Sequence, residues 1–167
     1  MYRQHQCGHT NRQKIRFRAY VSSNLQFMEV KTKNNHGRTK KKRVTMEQFD
    51  ALHPQHDIQF HRQDDNFVNY DEFLRTYLNY DPERLTEQIE NRFDRITLVN
   101  KAKTERLTID TNLRFNNIAT GEQRSMGNLV VIELKRDGNQ PSPILGKLCD
   151  LHIHPHGFSK YCMGAAL

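Results

Sequence analysis

Four cations stand at every second position of "NRQKIRFRAY": Arg12, Lys14, Arg16 and Arg18 alternate with Gln13, Ile15, Phe17 and Ala19. In a strand, successive side chains point to opposite faces, so the four cations line one face at a pitch of about 7 Å. Cations at that spacing can grip a row of anionic groups. The planar guanidinium fork meets two phosphate oxygens at once and never deprotonates, and lysine adds a movable point charge. A solvated basic edge would show the same alternation, so the neighbouring stretches have to discriminate. In "LQFMEVKTK", Glu29, Lys31 and Lys33 share a face opposite Met28, Val30 and Thr32. In "ERLTIDTNLRF", strict alternation puts Arg106, Thr108, Asp110, Asn112 and Arg114 on one face, with Leu107, Ile109, Thr111, Leu113 and Phe115 on the other. In "NLVVIELKRD", Glu133 and Lys135 fall with Leu129 and Val131, opposite Val130, Ile132 and Leu134. Each strand thus has one face charged with both signs and one that calls for burial. Carboxylates that face a phosphate need a divalent cation between them.

The elements that must position these residues are strands at about 11–21, 25–33, 38–45, 93–99, 104–115 and 128–136, with helical segments between them. Thr45 followed by Gln48 has the form of a capping box, opening a short helix through Leu52 that Pro54 stops. Segment 65–79 spaces Phe67, Val68, Tyr70, Phe73, Leu74, Tyr77 and Leu78 by threes and fours, as an amphipathic helix does; its aromatic residues are expected to be core. Residues 83–91 read as a third helix. Pro143 after Ser142 suits a first helical turn, so 143–152 is expected to be helical, with one more short turn at 159–166. "NNHG" at 34–37 reads as a turn leading into "RTKKKR", whose Lys40 to Arg43 must divide between both faces by alternation. Two α+β architectures accommodate these strands. One is an open antiparallel sheet with its charged face in water. The other is an antiparallel barrel with helices packed outside and a charged lumen, justified only by a charged ligand, because unpaired buried cations are costly. The carboxylates among the cations favour the barrel.

At 167 residues the chain is expected to be a single domain, 1–167, and its formal charge of +7 favours an anionic partner. No apolar run approaches the roughly 20 residues of a membrane span, and no signal peptide opens the chain. Three widely spaced cysteines, Cys7, Cys149 and Cys162, argue for a reducing interior, and cytoplasm is the expected location. "CDLHIHPHGFSKYC" offers Cys149, His152, His154, His156 and Cys162 as zinc ligands, but the spacing fits none of the familiar zinc patterns. A nucleic-acid-binding sheet would need exposed aromatics interleaved with the cations for stacking, and Phe17 lies on the face away from them. No nucleic-acid partner is expected.

The stretches "HQCGHTNRQKIRFRAY", "FMEVKTKNNHGRTKKKRV", "FDRITLVNKAKTERLTIDTNLRF", "VVIELKRD" and "GFSKYCMG", in that order, resemble the VTC domain. This is the polyphosphate polymerase domain of the triphosphate tunnel metalloenzyme superfamily. The resemblance implies an eight-stranded antiparallel tunnel with charged walls. It would bind the triphosphate of ATP or another nucleotide, or a polyphosphate chain, together with Mn2+ or Mg2+. Carried over by position, Arg16 and Arg18 are similar to paired phosphate-gripping arginines, and Lys31 to a substrate-binding lysine. Arg95 and Arg106 match two arginines of the tunnel wall, and Glu133 matches the metal-holding carboxylate. Ser159 and Lys160 match a serine and lysine that close the phosphate site from the last helix. The resemblance implies catalytic roles for Arg16, Arg18, Lys31, Arg106 and Lys160, with Arg12, Lys14, Arg95 and Ser159 assisting substrate binding.

The chain departs from the family in two places. Family members begin with additional strands, the first carrying a glutamate and lysine motif, whereas Met1 falls where a third or fourth strand starts. An N-terminally truncated tunnel is the expectation, with a partner chain as one way to complete its wall. Gly157 stands where yeast-type polymerases have a lysine. The implied activity is transfer of the terminal phosphoryl of ATP to polyphosphate. The alternative is a non-catalytic module for polyphosphate or inositol phosphates, or an inactive fragment.

Overall fold

Alternating sequence becomes alternating structure along β1 (Arg12–Tyr20), β2 (Leu25–Lys33) and β3 (Thr39–Met46), which form an antiparallel sheet in the order β1-β2-β3. The computed structural model describes residues 7–9, 12–23, 25–36, 38–46, 70–138 and 141–166. The chain divides into two compact units, Met1–Thr86 and Glu87–Leu167. Each has its own antiparallel sheet and a few helical segments, an α+β composition.

In the first unit, one sheet face is apolar and packs on α1 (Tyr70–Tyr77). Met28, Val30 and Leu74 are buried there, with Ile15, Phe17, Val44, Phe73, Tyr77, Leu78 and Leu85 packed around them. Burial of residues such as Met28 and Val30 is worth about 1.5–3 kcal/mol each. Phe73 and Tyr77 meet edge to face at 5.1 Å, in the core role expected of them. Phe67 and the Tyr70 side chain lie outside the described residues. Gln13 is polar yet buried on this face, and its hydrogen bonds explain why. Its amide donates to Thr32 Oγ1 at 3.0 Å and to the Tyr77 carbonyl at 2.7 Å, and its oxygen accepts from Asn79 N at 2.8 Å. The sheet and the end of α1 are tied together through that one side chain. The turn after β2 forms at the expected place, with Asn34 Oδ1 accepting from the backbone N–H groups of His36 and Arg38.

Two helical expectations change. Thr45 and Met46 are the last strand residues of β3, and residues 47–52 of the expected helix lie outside the described residues. The helix expected over 83–91 is a single 3₁₀ turn, Pro82–Arg84, capped by the Asp81 side chain; by Ile89 the chain is already in a strand. Pairing with β5 outweighs the local helical preference of this stretch.

The second unit is built around the long β5 (Glu105–Asn117). β4 (Ile89–Val99) pairs with one side of it, and β6 (Gln123–Met126) and β7 (Val131–Arg136) pair with the other. The β4–β5 register slips between Arg92 and Asp94, where one β4 residue faces two of β5, and Asn112 adopts φ +52°. This bulge reverses the alternation of β5. Asp110 and Thr108 are buried before it, Leu113 and Phe115 after it. The single face expected for Arg106 through Arg114 is therefore broken at Asn112, and Arg114 turns away from Asp110.

Two short helices complete the unit. α2 (Pro143–Asp150) starts as expected, with Ser142 Oγ accepting from Leu145 N at 3.1 Å and Pro143 in the first turn. α3 (Lys160–Ala165) is capped by Ser159, which accepts from Cys162 N. Buried Gly164 lets α3 approach the sheet: a Cβ built there would stand 2.5 Å from Ile89 Cγ2 and 3.2 Å from Phe115 Cδ1. Among the described residues, no helix is long and apolar enough to cross a membrane.

Candidate functional site

The face of the first sheet opposite the core is cationic. Register places Lys33, Lys31 and Glu29 across from Arg12, Lys14 and Arg16, and Lys41 and Arg43 across from Lys31 and Glu29. Together with Arg18, eight cations share this face: Arg12, Lys14, Arg16, Arg18, Lys31, Lys33, Lys41 and Arg43. Of the "KKKR" run, Lys41 and Arg43 join it, while Lys40 and Lys42 belong to the other face, where Lys42 Nζ lies 5.2 Å from the Tyr77 ring centre. At one end of the cationic face, Arg43 stacks on Phe27 at 4.5 Å and Arg18 on Tyr20 at 4.8 Å.

Glu29 is the carboxylate at the centre of this face, with 0% exposure. Arg16 Nε and Nη2 both reach its Oε2 at 2.7 Å, Lys41 Nζ stands 2.9 Å from Oε1, and Arg18 Nη1 is 4.0 Å away. Burial pushes the Glu29 carboxyl up, but the Lys41 ammonium and the Arg16 guanidinium override it and hold it at about 2, against an ordinary 4.5. Glu29 stays charged and organises the cations around it, which far outnumber it.

The second unit has its own charged centre. Asp110 is 1% exposed and receives a bidentate fork from Arg95, Nε to Oδ1 at 2.6 Å and Nη2 to Oδ2 at 2.7 Å. Lys160 Nζ meets Oδ2 at 2.5 Å. Arg95 is Asp110's direct cross-strand partner, and Lys160 arrives from the first turn of α3, positioned by the Ser159 cap. Burial works upward on Asp110, but the Arg95 and Lys160 hydrogen bonds and charges depress it below the ordinary carboxylate value. The Phe93 ring supports both cations, 5.1 Å from the Arg95 guanidinium and 4.6 Å from Lys160 Nζ.

Along the same sheet face, Thr108 stands opposite Glu133 and Arg106 opposite Lys135. Glu133 is half exposed, with Lys135 Nζ 3.4 Å from its Oε1. Thr108 is buried, and its hydroxyl has no hydrogen-bond partner among the described residues. Among those residues no three His, Cys, Asp or Glu side chains cluster as a metal cage, the histidines of 152–156 included. Mn2+ or Mg2+ needs no such cage when phosphate oxygens complete its shell, and one or two protein oxygens then suffice. Glu133, beside the unpartnered Thr108 hydroxyl, fits that role.

The ten residues singled out in the sequence fall into two groups. Arg12, Lys14, Arg16, Arg18 and Lys31 share the cationic face of the first sheet. Arg95, Arg106, Glu133, Ser159 and Lys160 gather in the second unit, on or beside the Asp110 face. Ser159 Oγ is engaged as a helix cap. Beyond those ten, Glu29 organises the cationic face, Lys33, Lys41 and Arg43 extend it, and Asp110 anchors Arg95 and Lys160.

The family model of the VTC domain matches residues 1–167, the whole chain, and the chain belongs to the VTC domain family. The family implies a polyphosphate-related function, is associated with polyphosphate polymerase activity and is generally metal-dependent. Searches of the curated proteins and of the solved structures each returned no match.

Proposed function

We propose that the cationic face of β1-β2-β3 grips the phosphate oxygens of a nucleoside triphosphate or polyphosphate chain, and that the chain transfers the terminal phosphoryl group as a polyphosphate polymerase-type enzyme. The supporting observation is that face itself, with eight cations at strand pitch around one buried carboxylate. Arg16, Arg18 and Lys31 bind the triphosphate, Arg12 and Lys14 extend the track, and Glu29 holds the Arg16 fork in place. A phosphoryl-transfer transition state spreads charge over oxygens, so fixed cations are most of what a protein can contribute. For Arg106 and Lys160, in the second unit, the family resemblance implies further charge-stabilising roles. Asp110 keeps Arg95 and Lys160 oriented while neutralising one of their two charges. Glu133, with Thr108 beside it, would hold Mn2+ or Mg2+, which when bound neutralises adjacent phosphate oxygens. In this reading residues 1–167 make one tunnel domain, its wall an antiparallel barrel with helices outside, acting in the cytoplasm where ATP is supplied.

Binding without turnover is the second reading, a module that holds polyphosphate or inositol phosphate. It is favoured by the prior commitment of Arg95 and Lys160 to Asp110 and of Glu133 to Lys135. Titration with tripolyphosphate and Mn2+, alongside an assay for ATP-dependent polyphosphate formation, tests both. Arg16→Gln with Lys31→Gln is expected to weaken tripolyphosphate binding about tenfold or more, since two charge-assisted contacts are lost. Affinity unchanged by those substitutions refutes the site. Binding without product selects the second reading.

A further inference from the structure

A cleft of about 430 Å³ in the second unit is lined by Arg92, Arg114 and Arg124, with Glu90, Asn116 and Ser125. None of these residues takes part in the polymerase reading. The bulge at Asn112 turns Arg114 away from the Asp110 face and sets it directly across from Arg92, with Ser125 on its other side. Like charges directly opposite on neighbouring strands are destabilising unless a counter-charge lies between them. Glu90 Oε1 accepts from Arg92 Nε at 2.7 Å and compensates one guanidinium. Arg114 and Arg124 form no ion pair or hydrogen bond among the described residues. Three arginines and one carboxylate line the cleft, an excess of two positive charges, with Arg124 reaching it from the position across from Phe115, on the other face of β5 from Arg114.

We infer that this cleft is a second anion site and that it takes a phosphate group. Two uncompensated charges match a phosphate dianion. Donors arrive from three adjacent strands, with the Ser125 hydroxyl and the Asn116 amide beside the guanidinium forks, which suits a tetrahedral oxyanion. A planar carboxylate would engage only one fork. The phosphate could be free inorganic phosphate or one unit of a polyphosphate chain.

Both sources can be tested by calorimetric titration of the full chain with inorganic phosphate and, separately, with tripolyphosphate. Arg16→Gln and Lys31→Gln are built into the background to lower the contribution of the first sheet, and the effect of the cleft arginines is read as a difference within that background. Arg114→Gln with Arg124→Gln is then expected to weaken that residual binding about tenfold or more. Both arginines are exposed, so circular dichroism and Tm should be unchanged by the substitutions. A loss seen with inorganic phosphate identifies the free ion as a ligand; a loss seen only with tripolyphosphate identifies the chain. Equal affinity with and without Arg114 and Arg124, or no binding of either anion in this background, overturns the inference. Because each comparison is made within one background, its outcome is separate from whether Arg16 and Lys31 bind triphosphate.

Discussion

Replacing Glu29 by Gln keeps its shape and removes the charge on which Arg16, Arg18 and Lys41 converge. The carboxyl is held at about 2 against an ordinary 4.5. At roughly 1.4 kcal/mol per unit, that difference sets a ceiling of about 3 kcal/mol on the stability lost. The three cations are 35%, 23% and 42% exposed and can rehydrate when the carboxylate goes. Screening of this kind lowers the expected loss to about 2 kcal/mol. For a chain of this size, that is a fall of about 4–8 °C in Tm at neutral pH. The pH dependence gives a second, independent readout. A depressed carboxyl contributes stability that is fully present above its unfolded value and is lost as pH falls through its folded value. The wild-type chain should therefore lose this contribution between about pH 4.5 and pH 2, and the Glu29→Gln chain should lack that part of the acid limb. Thermal melts of both chains from pH 7 to pH 2 make the comparison. Equal Tm at pH 7, or parallel acid limbs, would refute the assignment of Glu29 as the charge that holds the cationic face together.

Asp110→Asn should destabilise the second unit by about 2–4 kcal/mol, because a buried carboxylate is removed from two cations that are only partly able to rehydrate. The wild-type contribution is present above the ordinary carboxylate value and lost as pH falls below it, so the variant's penalty should shrink in acid. Chemical denaturation at pH 7 and at pH 3 measures both. Gly164→Ala places a methyl 2.5 Å from Ile89 Cγ2, and α3 must shift to accept it. The expected cost is about 1–3 kcal/mol, seen as a lower Tm, with a weakened Lys160–Asp110 contact visible as altered Lys160 side-chain NMR shifts.

Strands and caps were legible because their signals are local. Period-two alternation located β1, β2, β3, β5 and β7 to within a few residues, and Ser142–Pro143 and Ser159 marked the starts of α2 and α3. β6 is only four residues long and mostly polar, too little for periodicity to register. The 83–91 stretch misled because its three glutamates, with Arg84, Leu85 and Gln88, suit a helix locally, while its pairing partners, Phe115 through Asn117, lie more than twenty residues away. The site was half legible for the same reason. Glu29 and its neighbouring cations declare themselves by alternation within one hairpin. Alternation also offered Asp110 as an ordinary surface partner for Arg95, but not as a buried anchor shared with Lys160, which lies 50 residues further on. The reversal at Asn112 was hidden as well: asparagine tolerates positive φ better than most residues, but nothing in an alternating pattern says where the phase will reset.

That reset lets a single strand serve two surfaces that share no residues, one organised around Asp110 and the other around Arg114. The division depends on a count rather than on any side chain's chemistry. Deleting one residue at the bulge would drive Arg114 beneath α3 and expel Phe115 to the outside. The centre of β5 should therefore accept changes of residue identity far more readily than any change of length.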